Sequence, residues 1–385
     1  RSRVFKHGHE SASGRTSSVG QHVLCLDTEG GILNEANLRL QAMGEMVKKS
    51  AKVVTLVDLA GHEKYFKTTA FGMTACAPDY AAIIVGANHG VVGMCKEHLG
   101  VALALKIPCF FVVSKIDLAP AHILRQNLKH LMALMKRPGV KKTPYLVRTA
   151  EDVVHCARHL CDGQGALAPI FLTSSVTGKG LDALRTFINL LQQRTQWHRL
   201  AQEPVEFTVD ETFGVPGVGT VVAGTVKRGV VKVGHTLLMG PAIDDGSFKP
   251  VTIKSIHYKR NPVEAVVAGM TAAFALKKVK RNEVRKGMVL LHERLQPKAS
   301  WEFDAEIAIL THSTTIQPNY QAVIHCHIVR QAAQVLHMDR RQLRSGDKAR
   351  VRFRFLNRPE YIVPCSKFFF REGKTKGIGM VVAAA

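Results

Sequence analysis

Residues 53 to 65 read Val53-Val54-Thr55-Leu56-Val57-Asp58-Leu59-Ala60-Gly61-His62-Glu63-Lys64-Tyr65, and this stretch decides how the rest of the chain is read. Its first five residues are β-branched or apolar, the pattern of a buried strand, and Asp58 stands where that strand ends. In an α/β sheet, ligands bind at the C-terminal ends of the strands. A carboxylate there can hold Mg2+ through water, Gly61 can bring a backbone N–H against a γ-phosphate, and His62 can orient an attacking water. Asp-x-x-Gly alone is a weak signal, and it reads as well as a strand-ending Asp followed by a turn glycine.

Further along, Ser114-Lys115-Ile116-Asp117 follows the apolar run Cys109 to Val113. An Asp in that place accepts two hydrogen bonds from the N1–H and N2–H of guanine, which adenine cannot supply, while the stem of Lys115 covers the base. Ser114 stands in place of the Asn of an Asn-Lys-x-Asp that reads guanine; because that Asn ties the loop to a phosphate loop, reduced nucleotide affinity is expected. Phe171-Leu-Thr-Ser174-Ser175-Val-Thr-Gly178 ends the next strand, where a backbone N–H can reach the guanine O6; taken alone it is a helix cap. Thr16, in Ser13-Gly14-Arg15-Thr16-Ser17-Ser18, precedes Asp58 by a few tens of residues, the place of a switch threonine that coordinates Mg2+; taken alone it is a polar loop. The Gly-x-x-x-x-Gly-Lys-Ser/Thr loop that completes such a site occurs nowhere in the chain.

With 385 residues, 46% of them hydrophobic, the chain is long enough for two or three domains with cores of their own. Its longest apolar runs have the length of buried strands, so no membrane helix is expected. The net charge is +23 and is spread out, with 25 basic against 14 acidic residues in 1–202 and 28 against 16 in 203–385. Charge of that size favours a polyanionic partner, because phosphate neutralisation releases counterions; the plain alternative is a soluble basic surface. Eight scattered cysteines without a Cys-x-x-Cys pair read as reduced thiols, and residues 1–20 hold no apolar targeting segment, so the cytoplasm is the expected compartment.

Apolar strands alternate with helical stretches from about residue 19 to 197, which predicts βα units and a mostly parallel sheet. Strands are expected at Val19 to Leu26, Lys52 to Val57, Tyr80 to Val85, Pro108 to Val113 and Ile170 to Thr173. Helices are expected at Lys64 to Thr74, Lys96 to Leu105, Ala121 to Lys136 and Leu181 to Gln193, with a short strand and helix inserted between Pro138 and Ala168. After Trp197 the pattern changes to short β-rich runs separated by turn signals such as Pro216-Gly217 and Asp245-Gly246, as in closed barrels. A second break falls near Gln296-Pro297-Lys298. The expected domains are 1–200, 201–297 and 298–385.

Taken in order, Thr16, Asp58 to His62, Ser114 to Asp117 and Ser174-Ser175 resemble a translational GTPase of the elongation factor Tu and one-alpha class. Val215-Pro-Gly-Val-Gly219-Thr-Val-Val-Ala-Gly224-Thr-Val-Lys-Arg-Gly229 resembles the second-domain barrel of that class. Phe303-x-Ala-Glu306-Ile, Leu343-Arg-Ser-Gly-Asp347 and Phe370-Arg371-Glu372-Gly373 through Gly379 resemble its third. The wording Asp58-Leu-Ala-Gly-His-Glu-Lys-Tyr65, with Phe71-Gly72-Met-Thr and Ser255-Ile256-His-Tyr-Lys-Arg260, is similar to the animal family of GTP-binding proteins 1 and 2, leaning to the second. The resemblance implies an α/β Ras-like GTPase domain, N-terminally incomplete, followed by two antiparallel β-barrels. The first strand and phosphate loop are then expected before Arg1.

The resemblance further implies GTP/GDP binding through Asp58, Gly61, Ser114, Lys115, Asp117, Ser174 and Ser175, Mg2+ at Thr16 and Asp58, and hydrolysis assisted by His62 and Gly61. The implied partners of this monomer are tRNA and the ribosome, in translation surveillance, with no membrane. The alternative is a GTP-binding adaptor for RNA-decay or other protein partners that hydrolyses little or nothing.

Other patterns have plainer readings. Gly217-Val-Gly219 through Gly224 is followed by a strand, so its glycines are expected in barrel turns and close backbone approaches. His155, Cys156, His159 and Cys161 share a spacing that suits zinc but lack a second ligand pair, which favours a surface helix. Lys277-Lys278-Val-Lys280-Arg281, with Arg285-Lys286, reads equally as an RNA-phosphate contact or a solvated face. Phe368-Phe369-Phe370 is expected in a barrel core, and Trp197 and Trp301 packed near domain junctions.

Overall fold

The computed structural model describes residues 7–34, 43–76, 78–163, 166–259, 261–311, 315–373 and 375–384, so Arg260, quoted above, lies outside the described residues. It forms two units, Arg1–Thr195 and Gln196–Ala385. The first runs α1 (Gly8–Ser13), β1 (Gly20–Leu26), α2 (Met43–Lys49), β2 (Lys52–Asp58), α3 (Phe66–Ala75), β3 (Ala81–Gly86) and α4 (Gly93–Ala104). It continues with β4 (Cys109–Ser114), α5 (Ala121–Met135), β5 (Thr143–Leu146), α6 (Ala150–Cys161), β6 (Leu167–Leu172) and α7 (Leu181–Leu190).

Strand β4 is apolar without alternation because both of its faces are covered. Phe111 and Val113 face one core with Ile83, Val85, Leu131 and Met135. Phe110 and Val112 face the other with Val153, Cys156, Leu160, Phe171 and Phe187. The parallel sheet has the order β3-β4-β6-β5. The predicted sheet is therefore only partly parallel, since β1 and β2 form a separate antiparallel pair with Gly20 opposite Asp58. Lys52 holds β2 to the end of α7, its ammonium donating to the carbonyls of Ile188, Asn189 and Leu191 at 3.0, 2.6 and 2.5 Å. Helix-terminal carbonyls lack partners within their own helix, so a lysine suits them.

The second unit opens with α8 (Trp197–Leu200), β7 (Glu206–Val215), β8 (Gly219–Arg228), β9 (Val230–Lys232), β10 (Thr236–Gly240) and β11 (Lys249–Tyr258). There follow β12 (Asn261–Val263), β13 (Ala265–Val267), β14 (Thr271–Leu276) and β15 (Val289–Leu291). Strands β10, β15, β7, β8, β14 and β11 close a ring through the β10–β11 pairing. Gly224 is needed there, because a Cβ would lie 1.7 Å from the Thr208 carbonyl oxygen. The glycines at 217 and 219 have φ of 76° and 105° in the β7–β8 hairpin, as turn residues do.

A second closed barrel follows from β16 (Glu302–Thr311), β17 (Gln321–Cys326), β18 (Val329–Met338), β19 (Lys348–Phe355), β20 (Lys367–Glu372) and β21 (Thr375–Ala384). Phe303, Phe353, Phe355, Phe368 and Phe370 fill its core, with Phe303 lying 5.1 to 5.7 Å from Phe353, Phe355 and Phe368. Trp197 packs on Gly269, whereas Trp301 is 40% exposed, against expectation. Barrel closure uses the backbone of Trp301, whose carbonyl accepts from Phe355 N–H.

The two barrels are joined through Glu360, a carboxylate 1% exposed. It accepts from Arg358 at 2.9 Å, Gln331 at 3.2 Å and, from the first barrel, Arg285 at 3.2 Å. A buried carboxylate persists only with such partners. Arg285 thus leaves the basic surface cluster read from the sequence.

Asp210 on β7 is the opposite case. One of its oxygens is buried without a hydrogen-bond partner. Burial raises its pKa to about 6 against the attraction of Lys227 and Lys286 and with the help of Glu211. A raised carboxyl pKa means the folded state holds the proton more tightly, so this contribution is favourable at low pH and is lost as pH rises from about 4 to 6. Asp210→Asn is expected to stabilise the protein by about 1–2 kcal/mol at pH 7, with no gain at pH 4, in denaturant unfolding at the two pH values.

Candidate functional site

The first group of site residues assembles where β1 begins and β2 ends. Because Gly20 pairs with Asp58, the segment leading into β1 passes the C-terminal end of β2. Thr16 Oγ1 donates to Asp58 Oδ2 at 3.2 Å, joining residues 42 positions apart. A hydroxyl and a carboxylate are hard oxygen donors, which suit Mg2+ rather than a softer metal.

The turn after Asp58 is fixed from α3. Thr69, 2% exposed, donates its hydroxyl hydrogen to the Ala60 carbonyl. Gly72 lets α3 approach closely, since a Cβ there would lie 2.3 Å from Leu59 Cδ2. Gly61 differs: nothing lies within 4 Å of where its Cβ would be, and its φ is not in the left-handed region. Neither packing nor backbone conformation demands a glycine at 61.

His62 is exposed and caps a short 3-10 turn, Glu63–Tyr65, by accepting the Lys64 N–H on Nδ1 at 3.2 Å. This cap is why α3 starts at Phe66 rather than at Lys64 as predicted. With Nδ1 accepting, the neutral ring carries its hydrogen on Nε2. Such an imidazole orients a water by donation; it does not take the water's proton at Nδ1.

The second group lies at the C-terminal ends of β4 and β6. Lys115 takes a positive φ of 61°, which turns the chain sharply after Ser114. Ile116 N–H then donates to Thr173 O at 3.3 Å, and Thr173 N–H to Val113 O at 2.8 Å, so the two loops are stitched together. Lys115, Asp117 and Ser175 are exposed. Ser174 is fully buried, and its hydroxyl accepts the N–H groups of Val176 and Thr177 at 3.2 and 3.1 Å. Its side chain therefore shapes the loop. Ser114 is tied by its backbone, its carbonyl accepting Ala87 N–H at 2.8 Å, while Asn127 of α5 donates to Ala87 O at 2.9 Å.

Thr69 and Asn127 were not foreseen from the sequence. A polar residue inside a helical run carries no mark of the carbonyl it will meet. The candidate zinc residues lie on α6, where His155 and His159 pack ring against ring at 4.5 Å and Cys156 is buried in the core. Arg281 donates to the carbonyls of Val284 and Thr212, which spends part of the basic cluster on the barrel. Among the described residues, no helix is long and apolar enough to cross a membrane.

Comparison with known proteins shows the family. Residues 7–195 match the family described as Elongation factor Tu GTP binding domain, and residues 219–291 match Elongation factor Tu domain 2. GTP-binding protein 1 of Xenopus laevis is 50% identical over 383 residues, covering 99% of this chain and 58% of the relative. GTP-binding protein 2 of Homo sapiens is 42% identical over 382 residues, covering 98% of the chain and 63% of the relative. The higher identity to GTP-binding protein 1 reverses the leaning read from the motifs, and the chain spans about three fifths of the length of these relatives.

The translation elongation factor SelB from Methanococcus maripaludis, in complex with the GTP analogue GppNHp, shares the fold. Its TM-score is 0.67 at 18% identity, covering 96% of this chain and 74% of that one. The chain carries the GTP-binding domain and domain 2 of the elongation factor Tu family, and it is a homologue of GTP-binding proteins 1 and 2.

Proposed function

We propose that this chain is the switch portion of a GTP-hydrolysing, translational-type protein that acts with tRNA or the ribosome. The observation that carries this reading is the Thr16 to Asp58 hydrogen bond beside the Gly61-His62 turn. Thr16 and Asp58 would hold Mg2+, which when bound neutralises phosphate charge. Gly61, with open space at its Cβ position, offers its N–H to the γ-phosphate, and His62 donates from Nε2 to the attacking water. The exposed carboxylate of Asp117 accepts N1–H and N2–H of guanine, the stem of Lys115 covers the base, and backbone N–H groups near Ser175 reach O6. Ser114 in place of Asn is expected to weaken nucleotide binding, although backbone hydrogen bonds hold its loop to Ala87 and Thr173.

The phosphates need a Gly-x-x-x-x-Gly-Lys-Ser/Thr loop, and in this reading it ends a strand beside β3. Among the described residues, strand β3 is an edge of the parallel sheet. N-terminal sequencing with intact mass of the full-length protein tests for that loop, and its absence from the full-length protein would overturn triphosphate binding in this reading. An RNA-rich acceptor is supported by the net charge of +23 and by the exposed Lys277, Lys278 and Lys280 on the first barrel.

GTP turnover by the full-length protein, with and without ribosomes, tests the reading. Ribosomes are expected to stimulate it, and His62→Ala to lower the stimulated rate by at least about 100-fold. Turnover that neither ribosomes nor His62→Ala changes would leave the adaptor for RNA-decay or other proteins. Asp117→Asn is expected to weaken guanine nucleotide binding at least about 100-fold and to shift preference to xanthine, whose C2 carbonyl can accept from the new amide. An unchanged base preference in competition binding would take Asp117 out of the site.

A further inference from the structure

A buried carboxylate sits beside the switch threonine and takes no part in the chemistry outlined above. Glu10, on α1, is fully buried. Its Oε1 accepts Ser17 N–H at 2.6 Å, Ser17 Oγ at 2.7 Å, Ser18 N–H at 3.0 Å and Ser18 Oγ at 3.0 Å. Its Oε2 accepts His7 N–H at 3.1 Å, and His9 Nε2 lies 2.7 Å from Ser17 Oγ. Consecutive backbone N–H groups form a cradle for an anion, and here the anion is the protein's own side chain. Hydrogen bonds to an ionised acceptor are the strong ones, and a buried carboxylate deprived of them is costly.

Ser17 directly follows Thr16. The bond from its N–H fixes the plane of the Thr16–Ser17 peptide, and with it the place from which the Thr16 hydroxyl reaches Asp58. Gly14, at φ 66°, ends α1 and turns the chain back over Glu10, leaving Arg15 exposed in the return. We propose that Glu10 is a positioning residue that clamps the Arg15–Ser18 segment onto α1, so that Thr16 is held ready for the Mg2+ and γ-phosphate of a bound triphosphate. The proposal rests on the guanine-nucleotide reading given above. It assigns Glu10 to sensing of the third phosphate rather than to binding of the nucleotide as a whole.

The test compares affinities of the full-length protein, in Mg2+, for GDP and for a non-hydrolysable GTP analogue. Glu10→Ala is expected to weaken the analogue by about tenfold or more and to leave GDP within about twofold. Glu10→Gln, which keeps one carbonyl oxygen, is expected to fall between, and the Ser17→Ala, Ser18→Ala pair to move the ratio the same way by less. Tryptic cleavage after Arg15 gives a second readout: slow with the analogue bound to wild type, and no longer slowed in Glu10→Ala.

An unchanged ratio, or equal losses for both nucleotides, overturns the clamp and leaves Glu10 a structural residue. If Glu10→Ala does not fold, the serine pair decides by the same ratio. Wild-type protein that binds neither nucleotide overturns the underlying reading and the clamp with it, an outcome distinct from failure of the clamp alone.

Discussion

Burial of β4 on both faces is the constraint on which the first unit depends. A strand that packs Phe111 and Val113 against α4 and α5, and Phe110 and Val112 against α6 and α7, cannot slip by one residue without driving one set into the wrong core. Its end is therefore fixed, and with it the point at which the chain turns polar at Ser114. β6 is locked to β4 by Val113 opposite Leu172, so the Thr173–Ser175 loop emerges at the same level as Lys115–Asp117. Two loops more than fifty positions apart in the chain can then share hydrogen bonds, because neither strand is free to choose its register.

The β1–β2 pair is held by different means. It belongs to no larger sheet among the described residues, and Lys52 docks it by placing an ammonium on three carbonyls at the end of α7. Burial lowers the Lys52 pKa against the opposing influence of Cys161, while the three carbonyls give the ammonium its hydrogen-bond partners. An apolar residue in its place would leave those carbonyls unpartnered. The contact serves Asp58, six residues further along the same strand.

Sequence reading recovered what periodicity and turn chemistry encode. Every strand expected before residue 197 is present within a few residues, because uninterrupted runs such as Cys-Phe-Phe-Val-Val have few other uses. The short helices α1 and α2 escaped notice, since six or seven residues give too little pattern to recognise. At Asp58, His62 and Asp117 the residue type alone suggested chemistry, and the structure adds where they lie: Asp58 accepts from Thr16, His62 caps the next turn and Asp117 is exposed. The candidate site was illegible where the role depends on a partner far away in sequence. Ser174 read as offering a backbone N–H to guanine, yet that N–H donates to Lys179 O at 2.9 Å and its hydroxyl accepts from Val176 and Thr177. Glu10 read as nothing, because a lone glutamate becomes a clamp only when two serines fold back over it.

The same distinction governs the net charge. A count of +23 treats every cation as available to a partner, and the structure divides them. Arg285 and Arg358 are committed to Glu360, Arg350 and Arg352 to Asp304, Arg228 to Glu203 and Glu206, and Lys52 to helix carbonyls. The bidentate pair from Arg352 to Asp304, at 2.7 and 3.1 Å, holds that aspartate below the usual carboxylate range and spends the arginine's directionality on the outer face of the barrel. Arginine suits such fixed pairings because its planar fork matches a carboxylate; lysine, a point charge on a flexible stem, suits adaptable contacts with phosphate. The exposed Lys277, Lys278 and Lys280 are therefore a better guide to where a polyanion would sit than the arginines of β19, although the sequence makes the two runs look equally basic.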